Sequence, residues 1–435
     1  MKIRVKQRLQ NLDLFATRGT APHYRKGMRA FWLDSVFSSI SGAFLLTYIP
    51  LYALAFGATN AQIGSLSSTA SLFSMLAPLP GAQLTEKWGS RRRVVIAVWS
   101  VVRSLVLLLV LVPFFLSGQA AILAVIVLWS LRAGLANLAH PAWVSLSGDI
   151  IPPERRGRFF SSRNMAMALC SMAFVPLAGQ IIDWAGDLQG YQWSFGLSAL
   201  FGFAALIFYA QIPDPAAANA KKTKRDKLHF TFRQAFAGNR TFLLFTLIAM
   251  LWNFSLQLGG PFFSVFQVKE LGTTPGTMGW LSMAMSVTGL IGQFLWGRIV
   301  DRRSSRWVLA ACALSIPILP FLWYFMSKPW HAILIRIPSG FLWAGFELAS
   351  FNLQLELSDP QRRTQATAGY MTLIGLANIV GPIVGGYVVD HLGYYWDFAL
   401  SGLGRLLGGI LFVLLLKPFV RSSLSIHTTN QEKKT

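Results

Sequence analysis

Charge is scarce in this chain, and what there is has one sign in excess. Asp, Glu, Lys and Arg make up 13% of the 435 residues, and 39 bases stand against 17 acids, a formal net charge of +22. The two cysteines, Cys170 and Cys312, both lie inside apolar runs, which excludes a disulfide framework and a cysteine-based zinc site. No His-plus-acid cluster occurs in the loops, so neither a metal site nor a cofactor is expected. No glycine-rich loop with a phosphate-binding lysine is present, and no aspartate pair at glycosyltransferase spacing, which argues against an enzyme. No stretch outside the apolar runs is large enough for a receptor domain. The basic N-terminus is not followed by the short apolar region and cleavage site of a signal peptide, so no cleavable leader is expected.

Apolar residues are abundant instead. They form 54% of the chain and aromatics 13%, far above a soluble globular protein, and this places the chain in a bilayer. A hydrocarbon core of about 30 Å requires roughly 20 helical residues per crossing. Twelve runs qualify, near 31–56, 62–84, 94–116, 120–146, 160–184, 191–212, 241–268, 276–299, 307–326, 331–356, 366–389 and 394–416. The expected fold is all-α, with twelve transmembrane helices in two pseudo-symmetric six-helix bundles at 30–212 and 241–417. A basic linker (213–240) joins them, and terminal segments (1–29 and 418–435) flank them.

The basic excess sits in the short segments between runs, which is membrane topology and not a nucleic-acid surface. On the alternate-loop side that includes both termini lie 33 of the 39 bases, so the positive-inside rule places both termini in the cytoplasm of a cell-membrane protein. The first 29 residues mix Ile3, Val5, Leu9, Leu12 and Phe15 with bases, a pattern shared by an interfacial amphipathic helix and a solvated tail. A second interfacial piece is expected near Phe230 to Phe236 of the linker.

A charged turn, Ala82 to Arg93 (AQLTEKWGSRRR), returns 215 residues later as Gly297 to Arg306 (GRIVDRRSSR). Without a gap, Gly57 falls on Gly272, Thr59 on Thr274, Gly64 on Gly279, Ser71 on Ser286, Glu86 on Asp301 and Arg91 on Arg306. Duplicated hydrophobic halves are a mark of transporter folds. With this turn between spans 2 and 3 and again between spans 8 and 9, the chain resembles the major facilitator superfamily of secondary transporters, bacterial type, over nearly its whole length. That family's turn reads Gly-x-Leu-x-Asp-Arg-x-Gly-Arg-Arg. The first copy keeps Leu84, Lys87, Gly89 and Arg91 and has Ala82 and Glu86 in place of the first glycine and the aspartate. The second keeps Gly297, Asp301 and Arg302 and has Ser304 where the second glycine belongs.

The resemblance implies a gating role for these turns. Glu86 would face the start of span 11 near Ala366, and Asp301 the start of span 5 near Phe160, each acid meeting the positive end of a helix. Arg155 and Arg156, after span 4, would pair with Glu86 in the closed gate, with Arg306 in the second turn. The plain alternative is that all are solvated topology signals.

Within the spans, an arginine at mid-bilayer costs roughly 2.5–3.5 kcal/mol, so each needs a cavity or a partner. Arg132 and Arg336 lie in the fourth span of their halves and are candidates for holding an anionic substrate, with structural pairing as the rival. Arg103 and Arg405 rank below them. Glu347, eleven residues from Arg336 on nearly the same helical face, lies about 16 Å away, so the two can line one cavity at different depths. Asp34, followed by Ser35, Ser38, Ser39 and Ser41, is with Glu347 a candidate proton-coupling carboxylate. Asp149, Asp183, Glu356 and Asp390 fall at membrane edges and read as structural. Asn253, Gln257, Asn352 and Asn378 are candidates for polar substrate contacts, with interhelical hydrogen bonding as the default. Trp252, Trp280, Trp343, Phe262 and Phe346 are candidate apolar lining.

The function expected is transport of a small molecule by alternating access, coupled to protons, by a monomer in the lipid bilayer. Export of an amphipathic compound is placed ahead of the alternative, import of an anionic solute with a proton.

Overall fold

The computed structural model describes residue 15 and residues 20–214, 236, 238–359 and 362–432. The N-terminal amphipathic pattern and nearly all of the second interfacial piece lie outside these residues. All regular structure among the described residues is helical.

The first half contains α1 (Pro22–Ala43), α2 (Ile49–Ala55), α3 (Asn60–Leu76), α4 (Pro78–Trp88), α5 (Arg91–Phe115), α6 (Gly118–Ile150), α7 (Arg156–Ala185) and α8 (Asp187–Tyr209). The second contains α9 (Arg240–Gly259), α10 (Phe262–Lys269), α11 (Pro275–Arg303), α12 (Ser305–Ser315), α13 (Ile318–Leu322), α14 (Ile333–Leu357), α15 (Arg363–Leu392) and α16 (Tyr394–Glu432). Proline opens α1, α4 and α11, where its missing N–H is harmless. The side chains of Ser90 and Asn239 accept from the third residue of α5 and α9, supplying a partner to an otherwise orphaned donor.

Ten helical segments among the described residues are long and apolar enough to cross a membrane, against twelve expected. The two expected runs that fall short are the first and the second. α1 begins at Pro22 and draws Arg25, Lys26 and Arg29 into the helix, then is parted from α2 by a turn at residues 44–48. The second run breaks at Ala77 into helices of 17 and 11 residues: Ala77 itself keeps helical geometry (φ −71°, ψ −33°), but Pro78 and Pro80 have no N–H to carry the hydrogen-bond ladder across.

The described residues divide into two compact units. Unit 1 takes its residues from Met1–Ala58, Thr69–Arg225 and Thr274–Met283, and unit 2 from Thr59–Ser68, Asp226–Thr273 and Ala284–Thr435. Each repeat thus lends the start of its second span to the other unit. In unit 1, α1 packs on α7 and α8, and α5 on α6 and α8. In unit 2, α9 packs on α15 and α16, and α12 on α14 and α16. Counted along each half, one packing order is used twice: the first span on the fifth and sixth, the third on the fourth and sixth.

The unit 1 core includes Met28, Phe31, Val94, Val98, Val102, Leu146 and Phe159, with Phe31 tilted against Trp143 at 5.3 Å. In unit 2, Trp252 is fully buried and stacks on Phe346 at 4.7 Å.

The repeat also fixes backbone conformation. Gly57 and Gly272, one repeat apart, both have positive φ, 87° and 64°. In the first charged turn Gly89 ends α4 at φ 64°, while its counterpart Ser304 is held at φ 130°, ψ 157°, a region only glycine enters without strain. Ser304 Oγ accepts from Trp307 N–H at 3.4 Å, a cap that glycine replaces at a cost of a few tenths of a kcal/mol. Ser304→Gly is therefore expected to stabilise the protein by about 1 kcal/mol, read as a raised Tm in detergent.

Candidate functional site

Unit 1 holds a cavity of about 250 Å³ whose lining includes Asp34, Ser35, Ser38, Trp99, Arg103, His140, Trp143, Arg163 and Tyr209. Asp34 is buried, 8% exposed, and interacts electrostatically with both Arg103 and Arg163. The serines after it divide into two sets. Ser35 Oγ accepts from Arg163 Nε at 2.6 Å, and Ser38 Oγ from Arg103 Nη2 at 3.3 Å, so these two orient the guanidiniums. Ser39 bonds to the Met167 carbonyl and Ser41 to that of Ser198, at 2.9 and 2.7 Å, tying α1 to α7 and α8.

Arg103 also donates to Ser41 at 3.0 Å and lies over the Trp99 ring at 4.7 Å, leaving its buried Nε without a partner. Glycine at 202 gives it room, since a Cβ there would lie 2.4 Å from Arg103 Cδ. His140 stacks on Trp143. Arg132 is not among the residues lining this cavity; it sits over Trp129 at 4.7 Å.

Unit 2 holds a larger cavity, about 450 Å³, on which Arg336, Glu347 and Gln257 all border, together with Met285, Phe263, Trp323, Trp343 and Arg405. Arg336 Nη1 reaches the Met285 thioether at 3.8 Å, a weak acceptor, and its buried Nε has no partner. Arg405 donates to Ser401 Oγ at 2.8 Å and lies 5.8 Å from the Phe263 ring, again with an orphaned Nε. Behind it Asp397 is fully buried, and neither carboxylate oxygen has a hydrogen-bond partner.

Of the other expected contact residues, Asn253 donates to the Ala249 carbonyl of its own helix at 2.8 Å. Asn352 and Asn378 are not among the residues lining the cavity. Of the expected aromatic lining only Trp343 borders it; Trp252 and Phe262 are packed in the unit's core, Phe346 is stacked on Trp252 and Trp280 is exposed.

Sequence reasoning missed Arg163, counted as a loop base although α7 begins at Arg156, and Asp397. The spacing Asp397, Ser401, Arg405, one helical face at i, i+4, i+8, was the available signal for the latter.

In the first charged turn, Glu86, Gly89 and Arg91 border a third cavity with Pro141 and Ser145, also within unit 1. Arg91 forms an ion pair with Asp149, and Arg156 donates to the carbonyls of Gly148 and Ile151, at 2.8 and 3.3 Å, capping α6. That occupies Arg156 with backbone, where the sequence suggested a pairing with Glu86. Asp214 accepts from Ser90 Oγ at 2.7 Å and from Arg92 N–H at 3.0 Å.

Carboxylates do meet helix starts, but at the other ends of the spans. Within unit 1, Asp183 at the end of α7 accepts from Gly276 N–H, at the start of α11, at 3.0 Å. Within unit 2, Asp390 at the end of α15 accepts from Ala61 N–H at 2.9 Å and from Asn60 Nδ2 at 2.8 Å, at the start of α3. Ala61 and Gly276 are one repeat apart. One turn further, Gly64 lies against the Pro382 carbonyl, and its counterpart Gly279 against Pro176. A Cβ would come within 2.2 Å and 2.7 Å of those backbones, so only glycine permits the approach.

The duplicated packing and the charged membrane-embedded cavities fit a known design. Residues 31–268 and 253–434 match the profile of the Major Facilitator Superfamily. The chain belongs to the Major Facilitator Superfamily. An uncharacterized MFS-type transporter of Methanocaldococcus jannaschii is 21% identical over 398 residues, 90% of this chain and 98% of that protein. The multidrug resistance protein MdtG of Dickeya zeae is 27% identical over 172 residues, covering 38% of this chain and 40% of MdtG. Among solved structures, the nucleoside transporter NupG aligns over 91% of this chain and 100% of its own, with TM-score 0.69 and 14% identity. A bacterial homolog of the lysosomal transporter Spinster aligns over 93% of this chain and 99% of its own, with TM-score 0.71 and 13% identity. At such identities the structural likeness shows the MFS fold. The chain is thus an all-α, multi-pass membrane protein of a transporter family.

Proposed function

We propose that this MFS protein is a proton-coupled secondary transporter that exports an amphipathic small molecule across the cell membrane, as a monomer with both termini cytoplasmic and twelve crossings. The observation that carries the coupling is Asp34: a buried carboxyl facing a cavity, interacting with two guanidiniums that serines hold in place. Such a carboxyl has a use for a proton, because taking one up changes how strongly both arginines are held. Export is supported by the similarity to MdtG, named for multidrug resistance.

In alternating access, Asp183 and Asp390 hold the starts of α11 and α3 in the state described here. Glu86, Lys87, Gly89 and Arg91 in one turn, and Gly297, Asp301, Arg302 and Arg306 in the other, form the gate that engages in the opposite state, with Arg155 and Arg156 beside it. Arg132, Asn253, Asn352 and Asn378 reach substrate only in such a state. Import of an anionic solute with a proton is the second reading, favoured by two arginines against one acid in each cavity. The test is flux in proteoliposomes with the pH gradient imposed in either direction. Extrusion of an amphipathic compound against its own gradient, whatever its charge, favours export; proton-driven uptake of an anion favours the alternative.

A further inference from the structure

The unit 2 cavity has more hydrogen-bond donors than acceptors. Its two guanidiniums, Arg336 and Arg405, border the cavity and each has a buried Nε with no partner; the one side-chain contact of Arg336 among the described hydrogen bonds is a thioether, while one nitrogen of Arg405 serves Ser401 Oγ and the Leu256 carbonyl. An arginine buried in this way leaves most of its five donors unused, which is costly unless something else accepts from them. The acid on the cavity, Glu347, is three turns of α14 from Arg336, too far to pair with it. The rest of the wall is aromatic and aliphatic: Phe263, Trp323, Trp343, Leu319 and Ile335. At about 450 Å³ the space is of the size that ordinarily takes a small organic ligand.

We propose that this cavity binds an organic anion, an aromatic or otherwise flat apolar body bearing one sulfonate, carboxylate or phosphate, with the anionic group on Arg336 and Arg405 and the body among Phe263, Trp323 and Trp343. The inference rests on the transport reading and names its substrate class. Each of these anionic groups presents two oxygens spaced to accept together from a guanidinium's forked donors, which a cation or a neutral amine does not. Gln257, on the same wall, adds an amide able to donate to the same group. Asp397, fully buried and not among the residues lining the cavity, interacts electrostatically with Arg405 and offsets part of its charge, so Arg336 is the anion's main partner. Glu347, at the far side, repels a second negative charge, which restricts the class to molecules charged at one end.

The test is equilibrium binding to the purified full chain in detergent, followed by tryptophan fluorescence, with three probes of one shape: 2-naphthalenesulfonate, the neutral 2-naphthalenesulfonamide and 2-naphthylmethylammonium. The expected result is saturable binding of the sulfonate at least about tenfold tighter than of either other probe, weakened about tenfold or more in Arg336→Gln. Arg336→Lys, which keeps the charge but not the fork, should fall between. Equal or tighter binding of the ammonium or the sulfonamide, no binding of any probe, or an unchanged Kd in a folded Arg336→Gln would overturn the proposal. Should Arg336→Gln fail to fold, Gln257→Leu with Trp343→Ala must lower sulfonate affinity, and no change there equally overturns it. Binding as expected with no flux in liposomes would leave this site standing and sink the transport reading instead.

Discussion

Asp34→Asn is expected to reduce proton-driven flux to the level of protein-free liposomes while leaving exchange of substrate across the membrane intact. The amide is nearly isosteric with the carboxyl, so the cavity keeps its shape, and Ser35 and Ser38 still hold Arg163 and Arg103. What is lost is the ability to gain and release a proton beside those arginines. Without that change the preference of the cavity for one state no longer depends on pH, and a gradient has nothing to act on. Exchange needs no net proton movement and should persist. Loss of both activities in a folded variant would mean that Asp34 serves binding or structure; retention of both would remove it from coupling.

The second large effect is expected from Asp183→Asn combined with Asp390→Asn. Each carboxylate accepts a charge-assisted bond from a helix's first turn and also meets the positive end of that helix. A neutral amide keeps a weaker acceptor and loses the charge, a deficit of about 1–2 kcal/mol per site and roughly 2–4 kcal/mol for the pair. That suffices to shift a conformational equilibrium by more than tenfold. In a background with Cys170 and Cys312 replaced, a single cysteine at Met278 or Ile63, both buried here, should then react with a maleimide at least about tenfold faster. If the double variant leaves both labelling rates unchanged, these caps do not hold the state. Because the two bonds are one repeat apart, each single variant is expected to give a partial effect.

Much of the fold was legible because it is written twice. The match of Gly57 with Gly272 and of Gly64 with Gly279 marked the duplication, and the structure shows what each pair is for: positive φ at the first, close backbone packing at the second. Hydropathy found the apolar runs but not their interruptions. A run such as 62–84 is equally apolar whether it is one helix or two, and the break at Ala77 rests on the N–H groups that Pro78 and Pro80 lack, which hydropathy does not register.

Of the site, Arg336 and Glu347 were readable together because one helix carries both and its period fixes their relation. Arg103 and Arg163 were undervalued, since what places them on Asp34's cavity is α1 packing against distant helices. Asp183 and Asp390 read as edge residues for the same reason. Their partners lie 93 and 329 residues away in sequence, and no local pattern announces them.

The most direct measurement places wild type and Asp34→Asn in liposomes loaded with a pH-sensitive dye. It follows lumenal pH as 2-naphthalenesulfonate, a strong acid anion that carries no proton of its own, is added outside. A substrate-dependent pH change in wild type, absent in Asp34→Asn, is the predicted result. Sulfonate flux with no proton movement in wild type, or an equal pH change in the variant, would contradict proton-coupled transport through Asp34.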